Sequence, residues 1–139
     1  MSNLILQPVL ALVGWTLVMC GWLYATRIPA IRRHHVVYDP ARPAHEFHTQ
    51  LPARVRWKAD NYNHLMEQPT LFYAIALVLA LTDGGDRLDG WLAWAYVAIR
   101  IVHSLVQATV NVIPARFAIF MVGSVVLLAM TVRAALAVF

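Results

Sequence analysis

Five polar residues stand at helical spacing inside a strongly apolar stretch of this 139-residue chain. Arg100, His103, Ser104, Gln107 and Asn111 lie at offsets 0, 3, 4, 7 and 11, which is one face of a helix. A second set, Asp60, Asn63, His64 and Glu67, has offsets 0, 3, 4 and 7 and opens another apolar run. Guanidinium, imidazole, carboxylate and amide groups so arranged can hold an anion or a polar ligand, or tie helices together by hydrogen bonds. Arg116 follows the first set at the start of a further apolar run. A guanidinium stays charged and lowers the pKa of a neighbouring thiol, so thiolate chemistry is one reading of Arg116. The other is a snorkelling anchor at a membrane surface.

Other chemistries find less support. His34, His35, His45 and His48 are close in sequence, but His45-Glu46-Phe47-His48 is one residue short of the zinc-protease spacing, so no metal site is expected. No nucleophile triad and no phosphate-cradling glycine loop is legible. Cys20 is the single cysteine, which excludes an internal disulfide and reads as a small buried hydrophobe.

The elements that must position these residues follow from composition. The chain is 60% hydrophobic and only 13% charged, against roughly 25% charged in soluble domains. Mean hydropathy is +0.61. A soluble enzyme and a disordered chain are both excluded. The expected fold is all-α, a single integral-membrane four-helix bundle. Its spans are placed at about 4–26, 60–82, 91–111 and 114–136, since about 20 apolar residues cross the hydrocarbon layer. The helix of span two starts earlier, near Pro52, and Pro69 is positioned to kink it beside Glu67. An N-terminal signal peptide would want a basic start, whereas the first charge is Arg27. Pro8 is expected to bend or tilt span one, and Gly14, Gly21 and Ala25 form a seam for close helix approach.

Seven of the eleven basic residues lie between spans one and two. The 27–58 loop, mostly irregular and rich in proline, is therefore cytoplasmic, with both termini and the acidic turn Asp83-Gly84-Gly85-Asp86 outside. Trp22, Tyr24, Trp91, Trp94 and Tyr96 fit interfacial belts. The pI near 9.7 reflects these flanks, and no nucleic-acid module accompanies it. Counted at about 1.5 Å per residue from Asp83 and Trp91, Glu67 is level with Gln107, and Arg100 lies about 10 Å away with no partner assignable. Two stripes on antiparallel neighbours are expected to face each other or a shared cavity. No inverted repeat supports a transporter.

The segment Asn63-His64-Leu65-Met66-Glu67-Gln68-Pro69-Thr70-Leu71-Phe72 resembles the MAPEG superfamily, membrane-associated proteins of eicosanoid and glutathione metabolism, and within it the bacterial branch. So does Tyr96-Val97-Ala98-Ile99-Arg100-Ile101-Val102-His103-Ser104, followed by Asn111 and Arg116-Phe117. The resemblance implies a homotrimer in a bacterial inner membrane, binding glutathione between subunits near the cytoplasmic face. It implies a transferase or peroxidase acting on lipophilic small molecules that arrive through the lipid. Arg116 would stabilise the thiolate, while Asn63, His64, Glu67, His103, Gln107 and Arg56 would line the glutathione site. The sequence departs from the family pattern at Asp60 and Asn63, where glutathione-using relatives carry arginine, and at His64, the family asparagine. Gln107, Phe117 and Phe120 replace Tyr, Ser and Tyr of the prostaglandin branch. Arg56, Lys58 or Arg27 are the candidates to compensate. The alternative is a non-catalytic helical subunit or lipid-binding module, with the stripes as interhelical glue.

Overall fold

A computed structural model describes residues 4–82 and 86–139. Six helices follow in order: α1 Leu6–Arg33, α2 Ala44–Thr49, α3 Ala53–Leu65, α4 Gln68–Leu81, α5 Arg87–Thr109 and α6 Ile113–Val138. The described residues contain no strand. Of the turn at 83–86 only Asp86 is described; 83–85 lie outside the described residues.

Three helices have the length and apolarity to cross a membrane: α1, the α3–α4 column over Ala53–Leu81, and α6. Four such spans are expected from the sequence. The difference is α5, which has 23 residues but is diluted by Arg100, His103, Ser104 and Gln107, all of them turned inward and buried. The protein is thus all-helical and membrane-integral in character. α1 runs past the expected end at 26 to Arg33, where Arg32 and Arg33 complement the negative end of the helix dipole. The 27–58 segment is also more ordered than its prolines suggest. The Gln50 side chain pairs with the Val37 backbone in both directions, accepting from its N–H at 3.1 Å and donating to its carbonyl at 3.1 Å. Phe47 lies under the Arg27 guanidinium, 5.6 Å from centroid to Cζ, and edge-on to Tyr38.

Buried positions in α1 are Pro8, Leu12, Thr16, Met19, Leu23 and Ala30, spaced as one stripe. Gly14 and Gly21 fall on the opposite side, where an added Cβ would meet nothing within 4 Å. The expected small-residue seam is therefore not used within the chain. Close approach occurs instead at Gly123, where a Cβ would come within 3.2 Å of Ile99 on α5. Tyr96 is not interfacial either: it is buried and stacked on Phe72, centroids 4.6 Å apart, whereas Trp91 and Trp94 are exposed. Cys20 is only half-buried.

The α3–α4 column is interrupted at Met66–Glu67. Pro69 has no N–H to offer the carbonyl four residues back. The backbone tightens into three-residue bonds from Met66 N–H to Asn63 and from Glu67 N–H to His64, and Glu67 has ψ −97°. Ala59, Asn61 and Leu65 are buried before the break, and Pro69, Phe72, Ala76 and Leu79 after it. Asp60, Asn63 and Glu67 consequently point outward and are exposed. The expectation that they face the α5 stripe is corrected: among those four only His64 turns inward.

The far end of α5 is fastened to α6. Asp86 caps α5 by accepting from the Asp89 N–H at 2.9 Å. The Arg133 guanidinium grips both carboxylates, with Nε on Asp89 and Nη2 on Asp86 at 2.8 Å. The Asp89 N–H and Arg133 hold the Asp86 carboxyl below its usual range. Asp89 is fully buried, so removing Arg133 leaves a carboxylate without its partner. Arg133 keeps about a third of its side chain exposed, so Arg133→Ala is expected to cost about 3 kcal/mol, the low end for breaking such a pair. Thermal or denaturant unfolding in detergent reads this. Because the folded Asp86 pKa is depressed, its contribution is complete above about pH 4, the unfolded value, and is lost as pH falls through the folded one. A midpoint unchanged between Arg133→Ala and wild type would contradict the clamp.

Candidate functional site

α3–α4 and α5 meet along a ladder of polar contacts. Asn61 Nδ2 donates to Ser104 Oγ at 2.7 Å. Arg100 Nη2 lies 3.0 Å from His64 Nδ1 and donates to the His64 carbonyl at 3.2 Å. The Tyr96 hydroxyl donates to Gln68 Oε1 at 3.2 Å, and Gln68 Nε2 donates to Ser124 Oγ on α6 at 2.9 Å. These pairs fix the register and place Glu67 level with Val97, not with Gln107. Part of the difference arises because α5 starts at Arg87, four residues before Trp91. The break at Met66–Glu67 adds to it. Arg100 acquires its partner by the same route. His64 lies in the last turn of α3, where the helix dipole is negative and the His64 carbonyl accepts from Arg100 as well as from the Glu67 N–H, a suitable place for a cation.

Next to this ladder is a cavity of about 290 Å³ lined by His64, His103, Ile113, Arg116, Phe117 and Phe120. The two imidazoles are stacked, centroids 4.9 Å apart and 20° from parallel. Phe120 stands edge-on to His64 at 5.5 Å. Arg116 sits in the first turn of α6, held by Nη1 donating to Asn111 Oδ1 at 2.6 Å. Asn111 can do this because α5 ends at Thr109 and Asn111 adopts the left-handed region, φ 52°, which asparagine tolerates. It is thus a turn residue and not a continuation of the α5 stripe.

Several buried polar atoms here have no partner: Arg100 Nε and Nη1, His103 Nδ1, Gln107 Oε1 and Arg116 Nε. Unpaired buried polar atoms cost about 1–3 kcal/mol each, and a concentration of them beside a cavity points to a polar ligand or bound water. The mixture is a guanidinium and two imidazoles against a wall of Ile113, Phe117 and Phe120. It can hold one anionic atom while an apolar body lies alongside.

The residues expected at a site divide into three groups. Arg116, His64 and His103 are brought together at the cavity. Gln107 is buried on the same face of α5 but does not line it. Asn63 and Glu67 are exposed on the outward face of the α3–α4 column, and Arg56 is half-buried on α3 with an unpartnered Nε. Within one chain these last three do not meet the cavity. His48 Nε2 approaches Asp60 Oδ1 at 3.1 Å, tying α2 to α3. Among the described residues no group of three or more His, Cys, Asp or Glu is placed to hold a metal.

A family model described as MAPEG family matches residues 5–136. No curated protein and no solved structure gives a significant match.

Asn61, Gln68 and Tyr96 are absent from the sequence-derived candidates, although Asn61, His64 and Gln68 are themselves spaced as one helix face. Either choice of face satisfies the periodicity; only packing against α5 distinguishes them. The Asn61–Ser104 bond allows a direct check. Ser104→Ala leaves the Asn61 amide donor without its partner and is expected to destabilise the protein by about 1–3 kcal/mol. Adding Asn61→Leu should recover part of that loss, since no unpaired amide remains. Unfolding of the single and double variants in detergent measures the coupling, and additive losses would refute it.

Proposed function

The chain belongs to the MAPEG family, and from that premise we propose that it is a membrane enzyme that holds glutathione as a thiolate against Arg116. The family includes glutathione-dependent transferases and peroxidases as well as non-catalytic members. The observation that carries the catalytic reading is Arg116 itself. It is oriented by Asn111, it retains an unpartnered buried Nε, and it lines a cavity whose remaining walls are aromatic and aliphatic.

The proposed assembly is a homotrimer of four-helix subunits, with α5 as the fourth span and both termini outside the cytoplasm of a bacterial inner membrane. Asn63 and Glu67 support an assembly because they present polar groups on the outward face of an apolar column. A carboxylate facing lipid is costly; covered by a second copy it can bind the tripeptide backbone. His64 and His103 complete the site from within, Gln107 backs it from the same face of α5, and Arg56, like Asn63 and Glu67, reaches it from an adjacent copy and supplies charge for the glutathione carboxylates. A lipophilic substrate enters from the bilayer. In conjugation the thiol proton goes to water, the thiolate attacks carbon, a C–S bond forms and the leaving group departs with its electron pair. In peroxide reduction the thiolate attacks the terminal oxygen, an S–O bond forms as the O–O bond breaks, and the protonated alkoxide leaves as alcohol; a second glutathione thiol then displaces water from the sulfenic acid to give the disulfide.

A non-catalytic subunit is the second reading. Asp60 and Asn63 favour it, because they stand where glutathione-using relatives have arginine and so lack charge-assisted bonds to the tripeptide. Ultraviolet difference titration of the detergent-purified protein with glutathione separates the two. The catalytic reading expects saturable thiolate absorbance. It also expects loss of that absorbance by at least tenfold in Arg116→Ala, the loss of one charge-assisted contact, with the assembly intact by size-exclusion chromatography. An Arg116→Ala protein that still forms the thiolate overturns the role of Arg116. A wild type silent at millimolar glutathione overturns the co-substrate.

A further inference from the structure

The contact between Arg100 and His64 has a chemical consequence at the neighbouring cavity. A guanidinium has only N–H donors and keeps its charge. With Arg100 Nη2 3.0 Å from His64 Nδ1, Nδ1 must accept, so the single ring proton resides on Nε2. The arrangement is held on all sides. Arg100 is 1% exposed and its Nη2 also donates to the His64 carbonyl. The His64 ring is stacked on His103, with Phe120 edge-on to it. A flipped ring would turn a C–H toward the guanidinium and forfeit its acceptor. Among the described residues the remaining nitrogen, Nε2, has no hydrogen-bond partner; it is not one of the buried unpartnered atoms, and it belongs to a residue of the cavity wall.

We propose that Arg100 is a positioning residue that locks His64 in the Nε2–H tautomer, so that the imidazole and Arg116 together present two donors to one anionic sulfur in the cavity. The identity of that anion rests on the thiolate reading; the tautomer does not. The lock matters because the two tautomers act oppositely. Nε2–H donates to a thiolate and stabilises it, whereas an unprotonated Nε2 would turn a lone pair toward it. Arg100 is not among the residues that line the cavity, and no proton passes through His64: the thiol proton leaves to water. A buried cation on α5 thereby sets the hydrogen-bonding sense of a group on α3.

The full-length protein, labelled with ¹⁵N-histidine in detergent micelles or bilayers, reports the tautomer directly. His64 signals are assigned by their disappearance in His64→Gln. Before any ligand is added, the wild type is expected to show an unprotonated Nδ1 and a protonated Nε2 at His64. Arg100→Gln can donate or accept, so it should shift His64 toward a mixture of tautomers, while Arg100→Lys, again donor-only, should restore the wild-type pattern. A wild-type His64 protonated on Nδ1 overturns the proposal, and this needs no variant to fold. So does an Arg100→Gln protein whose His64 signals are unchanged. In parallel glutathione titrations, Arg100→Gln should bind the thiolate about tenfold more weakly, with Arg100→Lys recovering most of the loss. Equal thiolate binding by Arg100→Gln and wild type overturns the positioning role. If the wild type gives no thiolate signal, the glutathione reading fails alone, and the nitrogen spectra still decide the tautomer.

Discussion

A guanidinium enclosed between apolar helices constrains everything around it. Arg100 keeps its charge and is only 1% exposed, so the surrounding helices must supply acceptors. α3 does this with a ring nitrogen and a main-chain carbonyl of one residue, His64. That carbonyl also accepts from the Glu67 N–H at 3.3 Å, in the tightened turn where the column is interrupted ahead of Pro69. The buried cation, the break and the register of α3 against α5 thus meet at one residue, His64.

The break also divides the polar residues of the column between two environments. Asn61, His64 and Gln68 turn inward and bond to α5 and α6, whereas Asp60, Asn63 and Glu67 turn outward. The first set joins the helices; it includes the one residue, His64, that also reaches the cavity. Of the second set Asp60 is tied to His48 on α2, whereas the Asn63 and Glu67 side chains make no hydrogen bond among the described residues. At the opposite end of α5 the Arg133 fork on Asp86 and Asp89 closes the α5–α6 pair. The long α5–α6 contact is thus fixed by charge at one end and by the Asn111–Arg116 turn at the other.

Much of the fold was legible in the chain because membrane helices leave a coarse signal. Apolar runs of membrane-crossing length, basic residues between the first two of them, and prolines at Pro52, Pro69 and Pro114 place helix starts and breaks without reference to neighbours. The place of Arg116 was equally legible: Pro114 marks the start of the apolar run, and the guanidinium falls in its first turn. Tertiary structure alone decided which of two faces on α3 is buried, since Asp60-Asn63-His64-Glu67 and Asn61-His64-Gln68 have equally good helical spacing. The choice depends on how far the chain rotates at Met66–Glu67, and backbone rotation at a break is set by packing. The partner of Arg100 was hidden for the same reason. Counting residues from Trp91 assumes where a helix begins, and the true start at Arg87 shifts every level along α5. Residue type and spacing determined that charged groups would lie within the apolar stretches of the chain; contact between helices decided which of them meet.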